Sequence, residues 1–94
     1  MSKSHLSSSY QVNSDTVARR MGDEIVLINL KTNQIYSLNR TAARLWELLS
    51  AGNQIAEIEK IMFDEFDVTE TIIKDEIQRL ITSLVDENFI SPLL

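Results

Sequence analysis

The residues with catalytic potential in this sequence are few and scattered. The only histidine is His5, which lies in a serine-rich N-terminal stretch, and cysteine is absent. One imidazole without other ligands cannot hold a metal ion, and no histidine in the remainder could activate a serine as a nucleophile. The two glycines, Gly22 and Gly52, stand alone, so there is no glycine-rich phosphate loop. We therefore expect no catalysis, no metal and no cofactor.

Adjacent carboxylates are the remaining candidates for acid–base chemistry. Asp64 precedes Glu65, and Asp75 precedes Glu76. A glycosidase-like pair needs a cleft between its two acids, whereas adjacent acids in a helical pattern are typical of a solvated face. Residues 53–94 hold ten acidic and three basic residues, and such a surface repels phosphate backbones. The charge therefore disfavours nucleic acid as a partner.

The first half of the chain carries a strand pattern. Residues 16–21, 24–30 and 35–38 alternate or are rich in β-branched side chains, which predicts three strands. Gly22 begins a two-residue hairpin signal, and Asn33 can take the left-handed conformation that the next turn needs. The near-continuous apolar run of the second strand predicts burial on both faces.

The second half carries a helix pattern. We predict helices over residues 40–51, 54–66 and 69–88, with Asn39 and Thr69 as N-caps and Gly52 ending the first. The apolar stripe of the first helix, which includes Trp46, predicts core packing. Tyr36 fits equally well a core ring or the wall of a groove beside the third strand. A short extended segment at 89–90 precedes the single proline.

These elements predict an α+β domain with a three-stranded antiparallel sheet followed by three helices, similar to a winged helix-turn-helix. We place this domain at residues 15–94 and a flexible tail at residues 1–14. No apolar run is long enough for a membrane span or a signal sequence, which predicts a cytoplasmic protein without a membrane partner.

Two kinds of binding surface fit this fold. A winged-helix DNA-binding regulator would read bases with the third helix, but that helix is net acidic and carries only Lys74 and Arg79 as cations. The alternative is the sheet edge, because an unpaired strand accepts another strand. An extended peptide could pair with residues 35–38 and lay alternate side chains against the third helix.

A family resemblance makes the peptide hypothesis more specific. The segments VLINL at 26–30, IYSLN at 35–39 and TAARLWELL at 41–49 resemble the PqqD-like family, whose loose pattern is Y-x-L-N-x-T-A-A-x-I-W-x-L-L. The resemblance covers about residues 15–91. Asn33 or Gln34 stands where glycine is common in the family.

Members of that family resemble recognition elements for ribosomally synthesised and post-translationally modified peptides (RiPPs). The resemblance implies that the chain binds the leader of a precursor peptide as a fourth strand, between the third strand and the third helix. It further implies delivery to a separate maturation enzyme, either a lasso-peptide leader protease or a radical S-adenosylmethionine enzyme as in PQQ synthesis. We favour the lasso type because the chain has a polar N-terminal stretch and no fused enzyme.

The resemblance also indicates which residues would bind the peptide. The strand edge falls on residues 34–38: Gln34, Ile35, Tyr36, Ser37 and Leu38. The helix wall falls on Ile72, Asp75, Glu76, Arg79, Leu80 and Ser83. Ile72 and Leu80 could equally belong to the core.

Overall fold

Five strands and three helices make up residues 8–93, the part of the chain that the computed structural model describes. In chain order they are β1 (Ser9–Val12), β2 (Thr16–Met21), β3 (Glu24–Asn29), β4 (Ile35–Leu38), α1 (Arg40–Ser50), α2 (Ile55–Glu65), α3 (Glu70–Asp86) and β5 (Ile90–Leu93). Strands β2, β3 and β4 form an antiparallel sheet, and the three helices follow it. The predicted α+β class is therefore confirmed.

The ends of the helices lie where the capping residues predict them. The Asn39 side chain accepts a hydrogen bond from the Ala42 N–H at 3.0 Å, and the Thr69 hydroxyl accepts one from the Ile72 N–H at 3.3 Å. These bonds satisfy N–H groups of the first helical turn that have no partner within the helix. Gly52 follows α1 with a φ of 96°, a conformation in which a side chain would be strained.

Two left-handed residues and one buried amide form the turns of the sheet. Gly22 in the β2–β3 turn has a φ of 66°, and Asn33 before β4 has a φ of 63°. Asn29 at the end of β3 is buried, and its side-chain oxygen accepts hydrogen bonds from the Lys31 N–H at 2.9 Å and the Thr32 N–H at 3.1 Å. The burial of this polar side chain is tolerable because its hydrogen bonds are made.

Helix α1 packs on one face of the sheet, the inner face, and α2 and α3 pack against α1. Ile25, Leu27 and Leu38 point to this face and are buried. Trp46 of α1 is only 5% exposed, which confirms the predicted core role of its stripe. Helix α3 contributes the buried side chains Ile73, Ile77, Ile81 and Leu84.

The opposite face of the sheet differs from our expectation. Val26 and Ile28 of β3 are half-buried, and Leu30 beyond the strand is 62% exposed. The prediction that this strand is buried on both faces is therefore wrong. Alternate side chains of a strand point to opposite faces, and here only the inner set enters the core.

A second, two-stranded sheet joins the two ends of the domain. Strand β1 runs antiparallel to β5, with Ser9 opposite Leu93. The predicted flexible tail at residues 1–14 is thus wrong for Ser9–Val12, whose backbone is held by this pairing. Residues 1–7, including His5, lie outside the described residues.

The register of this small sheet accommodates Pro92. The Asn13 N–H donates to the Phe89 carbonyl at 2.9 Å, which makes that pair a hydrogen-bonded one. Because hydrogen-bonded and non-hydrogen-bonded pairs alternate, Pro92 opposite Tyr10 falls in a non-hydrogen-bonded pair. Its missing N–H therefore faces away from β1 and costs no ladder bond.

Candidate functional site

Strand β4 is an edge strand, and its hydrogen bonds fix which backbone groups are free. The order of the sheet is β2–β3–β4, so within residues 8–93 strand β4 has a neighbour on one side only. The Asn29 N–H donates to the Gln34 carbonyl at 2.9 Å, which makes Asn29 and Gln34 a hydrogen-bonded pair. By alternation, Tyr36 and Leu38 also direct their backbone groups towards β3. Ile35 and Ser37 are left with N–H and C=O groups directed at the open edge.

The opposite edge of the sheet follows the same rule. Leu30 directly follows β3, and its N–H donates to the carbonyl of Asp15, just before β2, at 2.8 Å. Leu30 and Asp15 are therefore a hydrogen-bonded pair. The backbone N–H and C=O groups of the odd-numbered β2 residues are therefore directed at β3, whereas those of Ala18 are directed outwards. Both edges thus carry outward N–H groups, but only β4 carries the predicted site residues.

The side chains of β4 divide between the two faces of the sheet. Ile35 is 65% exposed and Ser37 is exposed, whereas Tyr36 is half-buried on the inner face. The Tyr36 ring meets Phe89 edge-on, with 5.9 Å between the centroids and 78° between the planes. Leu38 is fully buried. Its inclusion among the peptide-contacting residues needs a correction, because neither its side chain nor its backbone reaches the open edge.

The Tyr36 side chain is therefore neither fully buried in the core nor fully exposed. Its ring packs at the margin of the core, against a residue that follows α3, and part of it stays accessible. Phe89 itself is fully buried, so it belongs to the core and positions the Tyr36 ring without reaching the surface.

Most of the predicted helix residues share one flank of α3. At 100° per residue, Glu76, Leu80 and Ser83 fall on one line beside the buried stripe, and all three are half-buried. Ile72 and Arg79 lie at the outer side of this flank and are exposed. Ile72, at 53% exposure, is thus not a core residue, and Leu80 packs at the core margin.

Two of the predicted helix residues are separated from the rest. Asp75 is exposed and lies about 100° around the helix from the flank that contains Leu80. Ile72 is 14 residues before the helix end at Asp86, which is about 21 Å along the axis. Since Tyr36 contacts Phe89 just beyond that end, Ile72 is remote from this aromatic pair.

The cationic side chains of α3 are engaged in ion pairs. Lys74 lies 3.6 Å from the Glu70 carboxylate, and Arg79 pairs with Glu76. These exposed pairs contribute little to stability. They do, however, leave both cations of the helix with a negative neighbour, which is the reverse of a phosphate-binding surface.

A charged cluster that the sequence did not reveal joins α1 and α2. The Arg44 guanidinium makes two hydrogen bonds to the Glu65 carboxylate, at 2.8 and 2.7 Å. Hydrogen bonding to Arg44 lowers the pKa of Glu65, and the same bond raises the pKa of Arg44. Glu47 contacts Arg44 at 3.0 Å and also pairs with Arg20 of β2. Every member of this cluster has a partner, so its role is to tie the helices to the sheet.

Within residues 8–93, no helix is both long and apolar enough to cross a bilayer. The same part of the chain holds no group of three or more histidine, cysteine, aspartate or glutamate residues arranged for a metal ion.

A three-stranded antiparallel sheet with an open edge at β4, followed by three helices, defines a class of small α+β domains. Within this class the chain belongs to the PqqD family: the family model for coenzyme PQQ synthesis protein D (PqqD) matches residues 24–90. The resemblance identified from the sequence is thereby confirmed. A search of curated proteins found no match.

Two solved structures share the fold over nearly their whole length. TbiB1 in complex with the TbiA(beta) leader peptide is similar with a TM-score of 0.83 and 21% identity, over 89% of this chain and 98% of that chain. Lasso peptide synthetase B1 complexed with the leader peptide is similar with a TM-score of 0.81 and 23% identity, over 89% and 99% of the two chains. At these identities the likeness establishes the fold.

Proposed function

We propose that this chain binds the leader region of a ribosomally made precursor peptide by adding it as a strand to the open edge of β4. The observation that carries the proposal is the free edge itself. Ile35 and Ser37 offer two N–H donors and two carbonyl acceptors to an incoming strand. Tyr36 lies on this edge strand, and both Tyr36 and Leu80 of α3 pack against the core while staying partly exposed.

The expected selectivity comes from side chains, because main-chain pairing is nearly blind to sequence. A few buried apolar anchors usually dominate the affinity of such an interface. The half-buried Tyr36 and the flank with Leu80 and Ser83 are the candidate wall for those anchors, and the fully buried Phe89 supports the Tyr36 ring from within the core. Asp75 and Ile72, which point elsewhere or lie remote from Tyr36, are the weakest of the proposed contacts.

The chain then delivers the leader to a separate enzyme. The two similar structures are both leader-peptide complexes, and one is described as a lasso peptide synthetase B1. This favours a lasso-peptide leader protease as the enzyme served over the radical S-adenosylmethionine enzyme of PQQ synthesis. The chain itself performs no chemistry in this scheme, and it works in the cytoplasm where precursor peptides are made.

A titration tests the binding step. The genes beside the one for this chain are searched for a short precursor, its leader is synthesised with a fluorescent label, and its anisotropy is followed as protein is added. We expect saturable binding in the micromolar range or tighter, because four hydrogen bonds and two or three apolar anchors together suffice for it. A labelled DNA duplex, which tests the winged-helix regulator alternative, should not bind.

A reconstitution tests the delivery step. The precursor is incubated with a candidate leader protease from the same gene neighbourhood, in the presence and absence of this chain, and the masses of the products are measured by mass spectrometry. We expect cleavage to depend on the chain, and the peptide to keep its mass when the chain is the only protein present. A mass change caused by the chain alone would refute the non-catalytic role, and absence of leader binding would refute the proposal as a whole.

A further inference from the structure

A row of apolar side chains crosses the outer face of the sheet, the face turned away from the helices. The register places Val17 of β2 opposite Ile28 of β3, and Ile28 opposite Ile35 of β4. Because side chains alternate along each strand, all three point to the same face, opposite to the buried Leu27. Directly opposed side chains on one face lie about 4.5–5.5 Å apart at Cβ, so the three form a continuous row.

The exposure of this row is greatest where the sheet stops. Ile28 in the middle strand is half-buried, Val17 is 40% exposed, and Ile35 on the β4 edge is 65% exposed. Ile35 has a cross-strand neighbour on one side only. A strand added to β4 would supply the missing neighbour, because the backbone groups of Ile35 are directed at the open edge and would pair with it.

We infer that the bound peptide carries an apolar side chain on its outward face, directly opposite Ile35, so that the Val17–Ile28–Ile35 row continues onto the peptide. This inference rests on the strand addition proposed above and narrows its ligand class. The peptide is not a strand with one apolar and one polar face. It has apolar residues on both faces at its centre: alternate residues face the helices, and the residue between them packs on Ile35.

The next outward-facing residue of β4 limits the apolar contact to a single residue of the peptide. Ser37, the next outward residue of β4, pairs with Val26 and is polar and exposed. The peptide residue opposite Ser37 therefore meets no comparable apolar surface at the edge. The preference should be confined to the one peptide residue opposite Ile35, which gives the inference a built-in internal comparison.

A library selection identifies the probe. Linear 16-residue peptides displayed on phage are selected against the wild-type chain, and the best binder is synthesised. Hydrogen exchange then locates it: slowed exchange at the N–H groups of Ile35 and Ser37 establishes strand addition and defines the peptide residue opposite Ile35. If selected binders leave both N–H groups unprotected, the proposed function fails and this inference falls with it.

A double-mutant cycle tests the inference on that probe. We expect the peptide's outward apolar residue, changed to serine, to lose about two- to fivefold in affinity, which is the range of one cross-strand pair. The same peptide change should cost nothing further against the Ile35→Thr protein. Met21→Thr is the matched control, because Met21 is 60% exposed on the same face but lies two strands away from β4.

Three outcomes would overturn the inference while leaving strand addition intact. One is a serine substitution that is silent on the wild-type chain although Ile35 and Ser37 remain protected. Another is a peptide-free dimer, seen by sedimentation, that the Ile35→Thr change dissociates. That result would assign the row to a second copy of the chain. An equal loss with Met21→Thr as with Ile35→Thr would likewise exclude a local contact.

Discussion

Removal of a single N–H group from the open edge of β4 tests the strand-addition proposal most directly. The Ser37 N–H is directed away from β3, so proline at this residue removes no bond of the native ladder. Tyr36 before it is already extended, as a residue preceding proline prefers. We therefore expect Ser37→Pro to fold but to bind the peptide poorly.

The magnitude follows from the number of groups at the edge. Ile35 and Ser37 together offer four hydrogen-bonding groups, and each bond contributes about 0.5–1.5 kcal/mol net. Ser37→Pro removes one donor and leaves one peptide carbonyl without a partner, which costs about 1–3 kcal/mol. The dissociation constant should therefore rise by roughly 5- to 150-fold.

Two variants separate this effect from side-chain and backbone strain. Ser37→Ala removes the hydroxyl but keeps the N–H, and it should bind like the wild type. Ala18→Pro places proline at an outward-facing residue of the opposite edge strand, β2, and should leave binding unchanged while imposing a similar strain. Anisotropy titrations with the selected peptide give the affinities, and thermal unfolding shows that each variant is folded. If folded Ser37→Pro binds within twofold of Ser37→Ala, the peptide does not pair with this edge.

Four further measurements test other parts of the account. On peptide binding, amide exchange should slow at Ile35 and Ser37 but change little at residue 36, because the N–H of residue 36 is already bonded to β3. Uniform slowing across β4 would contradict the alternation of inward- and outward-directed N–H groups. Trp46→Ala should lower the free energy of unfolding by about 3–5 kcal/mol, and a fully stable variant in denaturant titration would contradict its core role. Glu65→Gln should cost about 0.5–1 kcal/mol at neutral pH, because its pKa is lowered by Arg44 and the pair is partly exposed. This stabilisation is complete above the unfolded pKa of about 4.3 and disappears as the pH falls through the lower folded value, so wild type and variant should converge in acid; a constant difference would contradict the pairing. Leader affinity should weaken only modestly from low to high salt, since apolar anchors rather than exposed charges carry it, and a collapse with salt would point to the acidic helix instead.

The sequence was sufficient for the elements whose signals are local. Asn39 and Thr69 cap helices where expected, and Gly22 and Asn33 take positive φ in the turns where the chain must reverse. In each case the preference resides in the residue itself and its immediate neighbours, so the rest of the chain need not be known.

The pairing of β1 with β5 could not be found in this way. The two strands are four residues each and lie at opposite ends of the chain. The serines that precede the first strand and Pro92 within the second both weaken the strand signal. Only the tertiary structure brings them together, and the polar links between Asn13, Ser91 and the Asn88 carbonyl secure the pairing.

The candidate site was predictable on the strand and ambiguous on the helix. Strand periodicity alone assigns the residues of β4 to two faces, although the burial of Leu38 required the packed structure. On α3, the 3.6-residue period identifies the buried stripe but does not say which part of the helix lies near Tyr36. The sequence therefore could not separate Ile72, near the start of the helix, or the outward-facing Asp75 from Leu80 and Ser83.

The pairing of Ser9 with Leu93 has a consequence for how this domain can be joined to other proteins. Partners in an antiparallel ladder have Cα atoms about 4.5–5.5 Å apart, so the chain enters and leaves the fold at almost one point. A unit with such adjacent ends can be spliced into a surface loop of a host protein with short spacers. The same adjacency allows circular permutation, with Ser9 and Leu93 bridged and new ends opened in the loop between α1 and α2.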